Sequence, residues 1–166
     1  MKPFAWLTIL ALFSVSALAQ THGVSLELRG PLAFARVPRE ATQLNFGYAV
    51  GYHYRPCAHH QFGITAHSDF REDATRVINL GVRIGHLYNF SDDLARSFFG
   101  GIAVGAGLSQ FGDDDDVGVF GEVLFRAGQR FAIDDALVYE PSVYLQLRTD
   151  SSVGYGINAL SLGWFF

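Results

Sequence analysis

From Leu160 to the end of the chain, apolar side chains fall on every second residue: Leu160, Leu162, Trp164 and Phe166. Alternate side chains of a strand share one face, so this stretch predicts a strand with one wholly apolar face that ends on an aromatic ring. A face of that kind has to be covered, by protein or by lipid. The same two-residue period recurs upstream.

Residues 24–36 set Val24, Leu26, Leu28, Leu32 and Phe34 against Ser25, Glu27, Arg29, Ala33 and Ala35. Pro31 falls inside this run and predicts a bulge, since proline cannot donate a ladder hydrogen bond. Residues 44–54 give Leu44, Phe46, Tyr48, Val50, Tyr52 and Tyr54 on one side, with Gly47, Gly51 and His53 on the other. Further strands are expected at 61–69, 76–88, 97–110, 117–127 and 137–148, each with a bulky apolar face and a face of small and polar residues. Pro141 is a second irregularity, and the register of the last strand before Asn158 is open. That makes eight strands.

The first twenty residues read as an export signal. Lys2 precedes an apolar run from Phe4 to Val15, and small residues at Ala17 and Ala19 mark a cleavage site before Gln20. The expected organisation is a signal peptide at 1–19 and one domain at 20–166. A single cysteine, Cys57, excludes an internal disulfide, so an exported chain must draw its stability from backbone pairing. Lys2 is the only lysine and the net charge is −4, which leaves no basic stripe for nucleic acid.

Eight meandering strands satisfy their edges by closing into a barrel, and two kinds compete. A soluble barrel holds apolar side chains inside; a membrane barrel turns them outward. Here the bulky face is continuous and nearly free of charge, whereas the small face carries Glu27, Arg29, Arg83, Glu122, Arg126, Glu140 and Arg148. An eight-stranded interior accommodates small and a few polar residues, not a second set of Leu, Ile and Tyr. The expected fold is therefore all-β: a closed eight-stranded antiparallel up-and-down transmembrane β-barrel. The seven charges should form an interior hydrogen-bonded network, because unpaired charges in a narrow lumen are costly. A hairpin centred near residue 133 would set Arg126 opposite Glu140.

The closing strand resembles that of small bacterial outer-membrane β-barrels, the OmpX-like and OmpA-anchor-like family, in its terminal aromatic and the apolar residues two and four positions earlier. Ser161 stands where those strands commonly have Gly. The resemblance implies a Gram-negative outer-membrane location, termini facing the periplasm, and delivery to the assembly machinery through the C-terminal strand. Lipid and lipopolysaccharide are the implied surroundings of a monomer, and an aromatic girdle of Tyr52, Tyr54, Tyr88, Tyr139, Trp164 and Phe166 would sit at the headgroups. The outer loops of that family are often long, while the connections here are short.

Three functional classes remain in view. A structural or envelope-interaction role with a plugged interior fits the pattern; a lipid A deacylase-like enzyme or a narrow ion channel are the alternatives. Some small barrels deacylate lipid A with a His/Ser/acid set, and His67, Ser68 and Asp69 invite that comparison. Neighbours in a strand point to opposite faces, however, so Ser68 should not meet His67. Cys57, His59 and His60 lie on one turn, which does not make a closed metal site. The four carboxylates of Asp113 to Asp116 make a solvated loop that could take a divalent cation. No catalytic residue, cofactor or metal is expected.

Overall fold

The computed structural model describes residues 21–36, 43–71, 77–111 and 117–166. The expected export signal and the Asp113 to Asp116 run lie outside the described residues, as does the side chain of Arg29. The described residues form one antiparallel sheet of eleven strands.

Six strands follow the sequence pattern: β1 (His22–Arg36), β2 (Gln43–Tyr54), β3 (His60–Arg71), β4 (Val77–Asn89), β5 (Phe98–Phe111) and β6 (Val117–Gln129). Each pairs with its chain neighbour. The remaining five are shorter pieces: β7 (Phe131–Ala132), β8 (Leu137–Tyr139), β9 (Ser142–Arg148), β10 (Val153–Asn158) and β11 (Leu160–Phe165). Eleven strands rather than eight arise because two predicted runs are broken and one short strand, β7, is added opposite β8. Pro141 has no N–H to donate, and it separates β8 from β9. Ala159 separates β10 from β11.

The second break puts the last register beyond what alternation alone can show. Val153 to Asn158 pairs with Leu147 to Ser142, whereas Leu162 pairs with Tyr139, a slip of one residue. One extra residue flips the side-chain parity, so Tyr155 and Ile157 share the outer face with Leu160 and Leu162. The Tyr139 hydroxyl donates to the Ala159 carbonyl at 2.6 Å and ties the break down. A second slip falls between Arg29 and Ala33, around Pro31. β1 pairs with β2 on one side and with β10 and β11 on the other.

The two faces are chemically inverted relative to a soluble domain. Val82 and Ile84 are 49% and 64% exposed, while Arg83 between them is 2% exposed. The same contrast runs along β1, where Leu26 and Leu28 are exposed around a buried Glu27. Apolar packing inside is confined to small clusters. Leu124 and Tyr144 form one, and Leu94, Val138 and Phe165 form another at the end where the chain terminates. We call that end the terminal mouth; a short 3-10 helix, Leu94–Arg96, lies beside it.

Candidate functional site: the buried charge tiers

The inward side chains sort into three tiers along the strands. At the terminal mouth, the Arg130 Nε donates to Glu140 Oε1 at 2.5 Å, its Nη2 donates to Gln61 Oε1 at 3.0 Å, and its Nη1 donates to Asn89 Oδ1. The guanidinium also lies 4.7 Å from the Phe99 ring centre and 5.6 Å from that of Phe165. Arg130 and Asn89 have no exposed surface at all. A charge so enclosed is tolerable only because carboxylate, amide and ring partners replace water on every side.

The middle tier holds two ion pairs. Arg126 Nη1 donates to Glu27 Oε1, and Asn158 Nδ2 donates to Glu27 Oε2 at 3.2 Å. Arg126 Nε donates to Ser142 Oγ at 2.9 Å. Beside it, Arg83 holds Glu122 through two parallel bonds, 2.5 Å from Nε and 3.1 Å from Nη2, a bidentate geometry that fixes both planes. Glu122 accepts as well from Gln146 Nε2 at 2.5 Å and faces His67 Nε2 at 2.8 Å. Asp69 completes the group, 3.3 Å from His67 Nδ1 and 4.0 Å from Arg83 Nη2.

The far tier is built on Arg148. Its Nη2 donates to Ser109 Oγ at 2.8 Å and lies 3.2 Å from Asp150 Oδ2, and its guanidinium carbon sits 3.6 Å above the centre of the Phe120 ring. Ser109 in turn donates to Asn79 at 2.7 Å. Small residues make room for these groups: a Cβ on Gly81 would stand 2.4 Å from His67 Nε2, and one on Gly105 2.8 Å from Arg83 Cγ. That is the close approach for which these two strand positions are glycine. Between the mouth and middle tiers lies a cavity of about 50 Å³, bordered by Glu27, His53, Thr65, Arg83 and Arg126. Its size suits a few water molecules and falls far below the several hundred Å³ of a ligand pocket.

Glu27, Arg83, Glu122, Glu140 and, half-buried, Arg126 and Arg148 lie on the face that the alternation assigns to them. Their partners differ from the expected ones. Arg126 stands opposite Tyr144, and Glu140 bonds Arg130. The hairpin is centred two residues later than expected because β7 and β8 extend it. Arg130, read from the sequence as part of a turn, carries the mouth tier; the inward parity of Glu122, Leu124, Arg126 and Gly128 continues to it unbroken and was the available signal.

On the outer face, Tyr52, Tyr54, Tyr88 and Trp164 are exposed, and Tyr139 and Phe166 are half-buried. His22 Nδ1 bonds the Tyr52 hydroxyl at 2.6 Å and its ring stacks on Phe166, which joins both ends of the described chain to the same rim. Ser68 is flanked by the outward Tyr48 and Leu80, on the face opposite the buried His67, so no Ser–His pair exists there. His59 faces Asp92 at 3.2 Å and His60 faces His86 at 2.9 Å, which separates the turn histidines.

No protein-family model matches the sequence, and no curated protein matches it. Solved structures do. Ail, the attachment invasion locus protein of Yersinia pestis, aligns with a TM-score of 0.62 at 15% identity over 88% of this chain and 99% of its own. Its complex with the heparin analogue sucrose octasulfate aligns at 0.60 and 14% identity, over 88% and 97%. Neisserial surface protein A gives 0.66 at 11% identity over 91% of this chain and 100% of its own. These neighbours are small outer-membrane β-barrel proteins, and at such identities the likeness is one of fold: this chain folds as they do.

Proposed function

We propose that this chain is an integral outer-membrane β-barrel protein with a polar, plugged interior and a structural or envelope-interaction role. The observation that carries the reading is the inversion of faces, with Arg83 buried between exposed Val82 and Ile84. Hydrocarbon is the solvent that such an outer face fits, because no unpaired charge or open backbone edge is tolerated there. The pairing of β1 with strands from both ends of the chain supports a closed barrel of eight crossings, the seventh broken at Pro141 and the eighth at Ala159. Tyr52, Tyr54, Tyr88 and Trp164 then mark the headgroup level at the terminal mouth. On this reading residues 1–19 are removed on export, the termini face the periplasm, the Asp113 to Asp116 run faces outside, and the C-terminal strand is what the assembly machinery reads.

The three ion-paired tiers and the small cavity support a plug rather than a channel. The outward position of Ser68 speaks against deacylase chemistry at His67. A net charge of −4 and four adjacent aspartates at 113–116 speak against a polyanion ligand of the kind held by Ail.

Electrophoresis of the protein from the outer-membrane fraction, with and without boiling, tests the proposal. A band that runs faster unheated and shifts on boiling is expected of a closed barrel. A protein found soluble in the periplasm, with no shift, would overturn it.

A further inference from the structure

On the outer face of β3 and β4, His60 and His86 stand among Phe62, Ile64, Ile84 and Tyr88. His60 lies opposite Tyr88, and His86 is paired with Phe62 on one side and Ile102 on the other. Both imidazoles are at least partly exposed. A polar ring among Phe, Ile and Tyr side chains contributes nothing to an apolar surface and calls for a partner. Each supplies the other with one: His60 Nδ1 and His86 Nε2 are 2.9 Å apart, and ring centres 5.1 Å apart place both nitrogens between the rings. Two strands in fixed register thus present two imidazole nitrogens to one point, open to the outside.

We infer that His60 and His86 form a two-histidine site for a borderline divalent transition ion. Two metal–nitrogen bonds of about 2.0–2.1 Å meeting at a right angle span about 2.9 Å, so the nitrogens already stand at the separation of cis ligands. Binding an ion gives up the single hydrogen bond between the rings and requires that both facing nitrogens be the unprotonated ones, each ring carrying its proton on the other nitrogen. Neutral imidazoles without a carboxylate select Cu(II), Ni(II) or Zn(II) over Ca(II) and Mg(II). Among the described residues no group of three or more His, Cys, Asp or Glu is arranged to hold a metal, so the remaining coordination positions fall to water or an external ligand. His59 stays outside the site: its Nδ1 bonds the Asn89 carbonyl at 2.8 Å and its Nε2 faces Asp92.

Cu(II), the strongest binder of the series, is the probe. Heat-modifiable, folded protein in detergent is titrated with Cu(II) and followed by electron paramagnetic resonance. The expected result is one ion per chain with the splitting of two imidazole nitrogens. That signal should disappear in His60→Gln and in His86→Gln and persist in His59→Gln and His22→Gln. A second readout needs no variant: Zn(II) should protect His60 and His86, but not His59, from diethyl pyrocarbonate in the wild-type protein. Copper binding that ignores residues 60 and 86, a one-nitrogen spectrum, or protection confined to other histidines would overturn the site.

Discussion

Arg130 and Arg83 are both enclosed guanidiniums bonded to a buried carboxylate, yet their surroundings differ. Around Arg130 the partners are one carboxylate, two amides and two aromatic rings, beside the apolar cluster of Leu94, Val138 and Phe165. Around Arg83 they are two carboxylates, Glu122 and the more distant Asp69, within reach of a histidine and a glutamine. The mouth tier sets one carboxylate on Arg130, closed in by two amides and two rings; the middle tier sets two carboxylates around Arg83. Sealing raises the value of each partner, because nothing replaces one that is lost.

The largest effect should therefore come from the mouth. Arg130→Met keeps the apolar stem but removes the guanidinium and leaves Glu140 buried without its bonded cation, at a cost of about 3–5 kcal/mol. Arg130→Met with Glu140→Met should recover most of that loss in urea unfolding of the folded, detergent-solubilised protein. Recovery by the double variant identifies the uncompensated charge, not lost packing, as the cause. Equal damage in single and double variants would instead make the aromatic contacts the main support.

One residue along from Arg83, the membrane reading makes a sharp demand. Ile84→Arg carries the same side chain out to the lipid-facing side, where it should cost about 2–4 kcal/mol near the midplane. The same assay in lipid vesicles measures it. An Ile84→Arg protein as stable as the wild type would show that this face meets water. Within the middle tier, Glu122→Gln should cost less than the loss of Arg130, about 1–3 kcal/mol, because Asp69 remains near Arg83 and the amide keeps one acceptor for it. A Glu122→Gln penalty larger than that of Arg130→Met would reverse the contrast between the tiers.

How much of this was legible in the sequence follows the same division. Period-two alternation depends only on residues close in the chain, so the outward set of Tyr52, Tyr54, Tyr88 and Trp164 and the inward set of Glu27, Arg83, Glu122 and Glu140 could be read directly. Who pairs with whom could not. Cross-strand partners depend on register, and register here is reset by slips near Pro31 and Ala159 and by a hairpin whose centre is displaced by β7 and β8. Arginine adds to the difficulty: Arg126 reaches Glu27 on a distant strand. Arg130 was hidden by the glycine before it and the aspartates after it, which read as a turn although the strand parity runs on. His86 carries no signal in the sequence, because a lone outward histidine gains meaning only beside His60, a neighbour in space on the adjacent strand.

The hairpin that displaces the register has its own lock, and it yields the smallest effect. Asp134 sits at the β7–β8 turn, where the backbone N–H groups of Ala136 and Leu137 donate to its Oδ1 at 2.8 and 2.7 Å. Those two bonds favour the ionised form and hold its pKa below the ordinary aspartate value. A lowered pKa means that the stabilisation is complete above the ordinary aspartate range and fades as pH falls through the lowered value. Hydrogen exchange at Ala136 and Leu137 should thus quicken in acid more than the shared chemistry of exchange predicts, while Arg130 and Glu140 stay protected. Asp134→Asn should remove that extra acid dependence and leave the turn formed. If acid instead loosened the amide of Glu140 in step with that of Ala136, the turn and the sealed mouth would open as one unit, and the independence of Arg130 from its own hairpin would be lost.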